Sequence, residues 1–296
     1  MSTGELRSPA PLEPGAARVR LLGLDDVPAC VTLASARGWG TDADLWTRFL
    51  TLGEGLGIDH DGVLVAAVVL NRFGPHLVTL AMMLVAATHE RRGLGLRLVT
   101  EALARAGGAT VALYASEMGR PLYARLGFVD AGASLRLEGE GRGEGETALP
   151  APTATGGLRP FRPADLPAVI ALDAEAQGAP RERLVRALAA AADHAWVVDR
   201  GGTPSAFGFA SVFRGTRVLS PIVAADDGAA CAIAGALAFG STEPLRIDLE
   251  PGEEALLGWA TGAGLEVVAT TPRMLHGRPF AWPRRRARAI AGRPYG

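Results

Sequence analysis

The sequence predicts an α/β chain in which one fold occurs twice. Three observations carry this. Strand-like apolar runs alternate with helical patterns, a glycine-rich charged stretch parts the chain near its middle, and short motifs recur across that stretch at a nearly constant offset. The clearest unit of the pattern begins at Leu77. Leu77-Val78-Thr79-Leu80-Ala81-Met82-Met83-Leu84-Val85-Ala86 is an apolar run of strand type that leads into Arg91-Arg92-Gly93-Leu94-Gly95. A helical pattern follows from Leu96, with Arg97-Leu98-Val99 and Ala102-Leu103.

The other elements read in order. Asp26 caps a helix through Ala34, and Asp42 precedes another through Leu52. Val63–Leu70 is a near-continuous apolar strand, reached through an Asp61-Gly62 turn. In the second half, helices are predicted near Leu166–Ala174 and Arg181–Ala192. Strands are predicted near Ala195–Val198, Ser205–Phe213 and Leu245–Leu249.

Residues 138–157 are rich in Glu, Gly, Pro and Thr and read as a linker. The expected organisation is a flexible N-terminus over 1–17, a first domain over 18–137, the linker, a second domain over 158–283 and a basic tail over 284–296. Asp26-Val27-Pro28-Ala29 recurs as Asp165-Leu166-Pro167-Ala168, offset by 139. Leu84-Val85-Ala86-Ala87 recurs as Ile222-Val223-Ala224-Ala225, offset by 138, and Gly127 as Gly264, offset by 137. One fold has been duplicated.

Composition narrows the function. A chain of 296 residues suits about two domains, and a net charge of −1 gives no overall bias toward polyanions. No apolar run is long enough to span a membrane, and Met1–Arg7 lacks the apolar stretch of a signal peptide, so a cytoplasmic location is expected. Cys30 and Cys231 are far apart and read as free buried thiols. The five histidines lack metal-ligand spacing, so no metal is expected. The arginines of Pro283-Arg284-Arg285-Arg286-Ala287-Arg288 come without an aromatic ladder, so a solvated tail is favoured over a nucleic-acid site.

The order of strand, basic glycine turn and helix can hold a diphosphate. Glycine lets the backbone bring its N–H groups close to an anion, the helix dipole favours the same spot, and arginines add charge-assisted hydrogen bonds. A Walker loop is excluded, because it needs a lysine and the chain has none. A Rossmann fingerprint is excluded too, because Leu98 stands where the third glycine belongs.

The stretch from Val85 to Gly95 resembles the acyl-CoA loop of the GNAT superfamily of N-acetyltransferases, Arg/Gln-x-x-Gly-x-Gly/Ala after a strand. About 20 residues on, Leu113-Tyr114-Ala115-Ser116-Glu117-Met118-Gly119-Arg120-Pro121-Leu122-Tyr123-Ala124-Arg125-Leu126-Gly127-Phe128 resembles the family's next signature, a strand and then a helix ending in Leu-Tyr-x-x-Leu-Gly-Phe. The resemblance implies two tandem GNAT-like domains, each a mixed, mostly antiparallel twisted sheet flanked by helices. It implies acetyl-CoA as cosubstrate, with Met83, Leu84 and Val85 along the pantetheine arm. Arg91, Arg92, Gly93, Leu94, Gly95 and Leu96 would hold the diphosphate, and Ser116 and Gly119 join the cofactor-binding positions. Tyr123 matches the tyrosine that protonates the departing thiolate. Glu117 is the nearest acidic candidate for base or water relay, because the strand before the loop carries no carboxylate. His89, Glu90, Asp59 and Asp61 read singly as solvated groups. Trp39 and Trp46 lie where the family often builds its acceptor pocket, and core packing is an equal reading of both.

Glu90 occupies the family's first Arg/Gln slot, where a carboxylate repels a diphosphate unless it turns away. In the second half, Asp226-Asp227-Gly228 replaces the Arg-Arg-Gly-Leu-Gly loop, and Trp259-Ala260-Thr261-Gly262-Ala263-Gly264-Leu265 replaces the tyrosine signature. The second domain is therefore expected to be degenerate and to bind no CoA by this route. The expected activity is direct acyl transfer from acetyl-CoA to a small-molecule or protein amine in a ternary complex. The alternative is a non-catalytic acyl-CoA-binding sensor or regulatory module. A homodimer stays open.

Overall fold

The computed structural model describes residues 18–141, 143, 157–280, 283 and 286–295. Contacts group the described residues into two compact units, one drawn from 1–71 with 80–108 and the other from 72–79 with 109–296.

The first unit holds β1 (Val19–Leu22), α1 (Val27–Ala36), α2 (Ala43–Leu52), β2 (Glu54–His60), most of β3 (Val63–Phe73), the larger part of β4 (Leu77–Val85) and α3 (Leu94–Ala106). The strands β1, β2 and β3 pair antiparallel in chain order. α2 begins as expected, with the Asp42 carboxylate accepting from Leu45 N at 2.8 Å. Asp26 precedes α1, but its carboxylate accepts from Gly23 N and clasps Arg20 rather than capping that helix. α3 buries Leu94, Leu98, Val99, Ala102 and Ala106, one stripe at helical spacing. Each buried leucine on it contributes about 1.5–3 kcal/mol. Cys30 is wholly buried, which pushes its thiol up to about 12 and leaves it inert.

The second unit continues with β5 (Thr110–Tyr114), α4 (Arg120–Arg125), β6 (Val129–Gly139), β7 (Leu158–Pro160), α5 (Leu166–Gln177), α6 (Glu182–Ala191), β8 (His194–Arg200), β9 (Thr203–Phe213), β10 (Thr216–Ala224), α7 (Asp227–Ala238), β11 (Leu245–Leu249), α8 (Glu254–Gly262), β12 (Glu266–His276) and β13 (Ala287–Ala289). Its strands run in the order β5-β12-β6-β11-β10-β9-β8-β7, with β13 added to β10. The sheet is mixed and mostly antiparallel, and the parallel pairs are β4–β5 and β10–β11. A fully buried cluster under α7 and α8 includes Leu219, Ile222, Ile233, Leu237, Ile247 and Leu256. Gly208 on β9 is a spatial necessity here, because a Cβ would come within 2.3 Å of Ile233.

The last strands of the two halves are exchanged. β12, from the C-terminal half, lies between β5 and β6, while β6, from the N-terminal half, lies between β12 and β11. The duplication is also visible in a repeated ion triad. Arg20 clasps Asp26 and Asp59 in the first half, and Arg159 clasps Asp165 and Asp199 in the second.

Two expectations change. The linker starts later than its composition suggests, because β6 runs to Gly139 and Gly143 N donates to Ser241 O at 2.8 Å. Residues 142 and 144–156 lie outside the described residues, as does the whole of 1–17. The basic tail is not frayed from Arg286 onward. β13 forms there, Arg286 pairs with Glu175, Arg288 pairs with Asp227 and Glu253, and Tyr295 is buried. Arg284 and Arg285 lie outside the described residues.

Candidate active site

The candidate residues fall into two groups, one in each unit. The first unit holds the strand end and the loop. Met82 takes a positive φ of 52° inside β4, a backbone irregularity just before Met83, Leu84 and Val85. Leu84 is buried and its two neighbours are half-buried. Gly93 is the N-cap of α3 with φ 77°, the left-handed conformation that glycine adopts without steric cost. Its carbonyl already accepts from Arg97 N at 3.0 Å. The amides of Leu94, Gly95 and Leu96 are the first-turn donors that have no partner inside a helix. Gly93 has no side chain to cap them.

The loop's charges sort themselves. Glu90, in the slot that would repel a diphosphate, is held by Arg37 at 2.7 Å. Arg91 is exposed. Arg92 is half-buried, and its Nη1 is buried without a hydrogen-bond partner. A buried unsatisfied cation donor is costly, about 1–3 kcal/mol or more, unless a ligand satisfies it. This atom and the bare helix start fit an anionic group such as a CoA diphosphate.

His89 was missed as a structural residue. The solvated reading fails, because its ring is 6% exposed. His89 Nε2 and His60 Nδ1 lie 2.8 Å apart, and Thr88 Oγ1 meets His89 Nδ1 at 2.9 Å. Burial first, then Arg92, lower its pKa below the usual 6.5. No local signal pairs the two histidines, because His60 ends β2 and His89 follows β4, 29 residues further on. Asp59 is taken up by Arg20, and Asp61 sits in the β2–β3 turn with φ 50°.

The two tryptophans part company. Trp39 is 44% exposed. Trp46 is 1% exposed and packs edge-on against Phe49 with ring centroids 6.3 Å apart. Trp46 is therefore core, and its apolar bulk holds α2 rather than lining an open pocket.

The second unit holds Ser116, Glu117, Gly119 and Tyr123. Ser116 opens the turn after β5, with Gly119 N donating to its Oγ at 3.1 Å. Its hydroxyl thus organises the start of α4. Gly119 leaves room for the Tyr123 ring, since a Cβ there would lie 3.0 Å from Tyr123 Cε2. Tyr123 is 6% exposed and packs edge-on against Phe128, centroids 5.6 Å apart. Burial alone raises its pKa well above the ordinary phenol range. The phenol is thus a neutral hydrogen-bond donor across the working pH range. Glu117 is exposed on the turn.

The second half closes the corresponding places. The Asp226 carboxylate accepts from Ala229 N at 2.8 Å and so caps α7. Arg200 pairs with Asp226 and Arg288 with Asp227. β13 pairs with β10 at Ile222 and Val223, the repeats of Leu84 and Val85. A strand of the chain itself thus uses the edge where a pantetheine arm would lie.

Family comparisons agree with this architecture. The model of the GNAT acetyltransferase family matches residues 35–128, and the model of a GNAT acetyltransferase domain matches residues 169–287. Together they span well over half of the chain, which belongs to the GNAT acetyltransferase superfamily as a tandem two-domain member. Its class of chemistry is acyl transfer. Among curated proteins none matches the chain significantly. A putative acetyltransferase from Pyrococcus horikoshii shares the fold with TM-score 0.76 at 19% identity, over 94% of this chain and 95% of that one. A tandem GNAT protein from the clavulanic acid biosynthesis pathway superposes with TM-score 0.66 at 14% identity, over 89% of this chain and 99% of that one. A GCN5-related N-acetyltransferase from Sphaerobacter thermophilus gives 0.64 at 16%, over 89% and 96%. No helix among the described residues is long and apolar enough to cross a membrane.

Proposed function

We propose that the chain transfers an acetyl group from acetyl-CoA to a primary amine by direct attack in a ternary complex. The observation that carries this reading is the bare start of α3, with glycine at its N-cap and an unpartnered buried Arg92 donor beside it. Bound there, acetyl-CoA supplies the activated acyl group. Arg92 and the amides of Leu94, Gly95 and Leu96 hold the diphosphate, and Glu90 stays out of the way on Arg37. Met83, Leu84 and Val85 align the pantetheine arm by their backbone. Acyl transfer needs a proton for the departing thiolate, and Tyr123 is the group assigned to give it. Its raised pKa keeps the phenol neutral across the working range.

A lysine-like amine sits about 3 units above neutral pH, so freeing it costs about 4–5 kcal/mol. Glu117 is assigned to relay that proton through water, because β4 carries no carboxylate. The same lack supports the second reading, an acyl-CoA-binding sensor with little turnover. Thioester consumption with a panel of amines separates the two. Tyr123→Phe is expected to lower kcat by about 10²–10⁴ with an acceptor that the wild type uses. Unchanged turnover in that variant removes Tyr123 from the mechanism.

A further inference from the structure

The loop between β4 and α3 carries a left-handed residue that is not glycine. Arg91 takes φ 59° and Gly93 takes φ 77°. Glycine adopts that conformation freely, whereas an arginine is disfavoured there and stays only where its surroundings hold it. Backbone bonds fix the near end of the loop. Ala86 N donates to Val65 O and His89 N to Ala86 O, each at 2.8 Å. Further along, two side chains tie the loop to other elements of the first unit. Glu90 meets Arg37, just past α1, at 2.7 Å. His89 meets His60, the last residue of β2.

The histidine contact is enclosed. His89 is 6% exposed and the His60 side chain 11%. The rings cross edge-on, with centroids 5.0 Å apart and planes at 76°. Two ring nitrogens facing each other at 2.8 Å need one hydrogen between them, so one ring donates and the other accepts. The other neighbours choose the direction. Asp61 Oδ2 lies 3.8 Å from His60 Nε2 and favours the hydrogen on that nitrogen. His60 Nδ1 is then the acceptor and His89 Nε2 the donor, while the Thr88 hydroxyl donates to His89 Nδ1 at 2.9 Å. Both nitrogens of the buried ring are used. Arg92, with its unpartnered Nη1, follows His89 by three residues.

We propose that His60 and His89 form a clasp that sets the shape of the turn at 91–93, and so positions Arg92 and the first amides of α3 for a diphosphate. Both histidines are positioning residues and touch no ligand. The cofactor part rests on the acetyl-CoA reading; the shaping of the loop does not. A hydrogen bond fixes distance and direction together, which apolar packing at the same place would not.

The test uses the full chain and two readouts. Amide hydrogen exchange over 86–93 reports the loop, and calorimetric titration with acetyl-CoA reports the site. His60→Leu and His89→Leu remove the contact. His60→Asn keeps it, because its Oδ1 takes the place of the imidazole Nδ1 as acceptor. Thermal unfolding of each variant checks that it folds. Each Leu variant is expected to speed exchange over 86–93 about tenfold or more, with α1 and β3 as in the wild type, and to weaken acetyl-CoA binding by about tenfold or more. His60→Asn should stay within about threefold of the wild type in both readouts. The double Leu variant should bind no worse than the weaker single, because one contact can be lost only once. Wild-type exchange in folded Leu variants, or a His60→Asn variant as impaired as His60→Leu, overturns the clasp. A loosened loop with unchanged acetyl-CoA affinity overturns its positioning role. A loop loosened in the Leu variants, with no acetyl-CoA binding by the wild type, keeps the clasp and refutes the cofactor reading.

Discussion

Helices α3 and α7 are repeats of one element, and they begin in opposite ways. α3 starts at Gly93 with a left-handed backbone, no capping side chain and a buried arginine donor beside it. α7 starts at Asp226, whose carboxylate satisfies the first-turn amide of Ala229, with Asp227 adding a second negative charge. The preceding strands differ in the same sense, because β10 carries β13 at Ile222 and Val223. A strand, turn and helix therefore do not define an anion site. What defines it is whether the chain has used the helix's donors and the strand's edge for itself. The first copy leaves its helix start without a capping side chain, and the second uses the helix start and the strand edge for its own stability.

That contrast can be broken at several points. The largest effect is expected in the second copy, at the pair Asp173–Arg181. Arg181 bonds Asp173 through Nε at 3.0 Å and Nη2 at 2.7 Å, and both side chains are buried. Asp173→Ala strands a buried guanidinium and should cost about 3–5 kcal/mol of stability, measured by denaturant unfolding. The duplicate position in the first half is Ala34, so no comparable loss is available there. Next comes Arg92→Ala in the first copy. A lost charged hydrogen bond of about 1.5–3 kcal/mol should weaken acetyl-CoA binding by roughly 10- to 100-fold with little change in the unfolding midpoint. A variant that binds normally means that Arg92 does not touch the diphosphate.

The smallest effect concerns His89 and acid. Its folded pKa lies below the usual 6.5, so the unfolded chain binds more protons in that window. The stability it contributes is complete above about 6.5 and is lost as pH falls through the folded value. His89→Gln should flatten the decline in unfolding midpoint on the acid side of 6.5. An equally steep decline in that variant assigns the acid sensitivity elsewhere.

Much of this was legible in the sequence. The helix after the Arg-Arg-Gly-Leu-Gly loop, which begins at Leu94 rather than at Leu96, the Asp42 cap, the strand from Val63 and the Asp226-Asp227 helix start all follow local rules of spacing and capping. The duplication showed in three short motifs, and the repeated Arg20 and Arg159 triads give it a physical basis. What could not be read was long-range. The exchange of β6 and β12 depends on partners more than a hundred residues apart. The partners of Arg286 and Arg288 turn an apparently loose basic stretch into a strand. Trp46 went to the core because α2 presents it there beside Phe49, a choice that spacing alone leaves open. Glu90 looked hostile to a diphosphate until Arg37 was found against it.

The central claim is one working cofactor site in a chain with two copies of the fold. Its most direct test is a calorimetric titration of the whole chain with acetyl-CoA, counting sites. The account predicts one site per chain, abolished by Arg92→Glu. Two sites, or one site that survives Arg92→Glu, would contradict it.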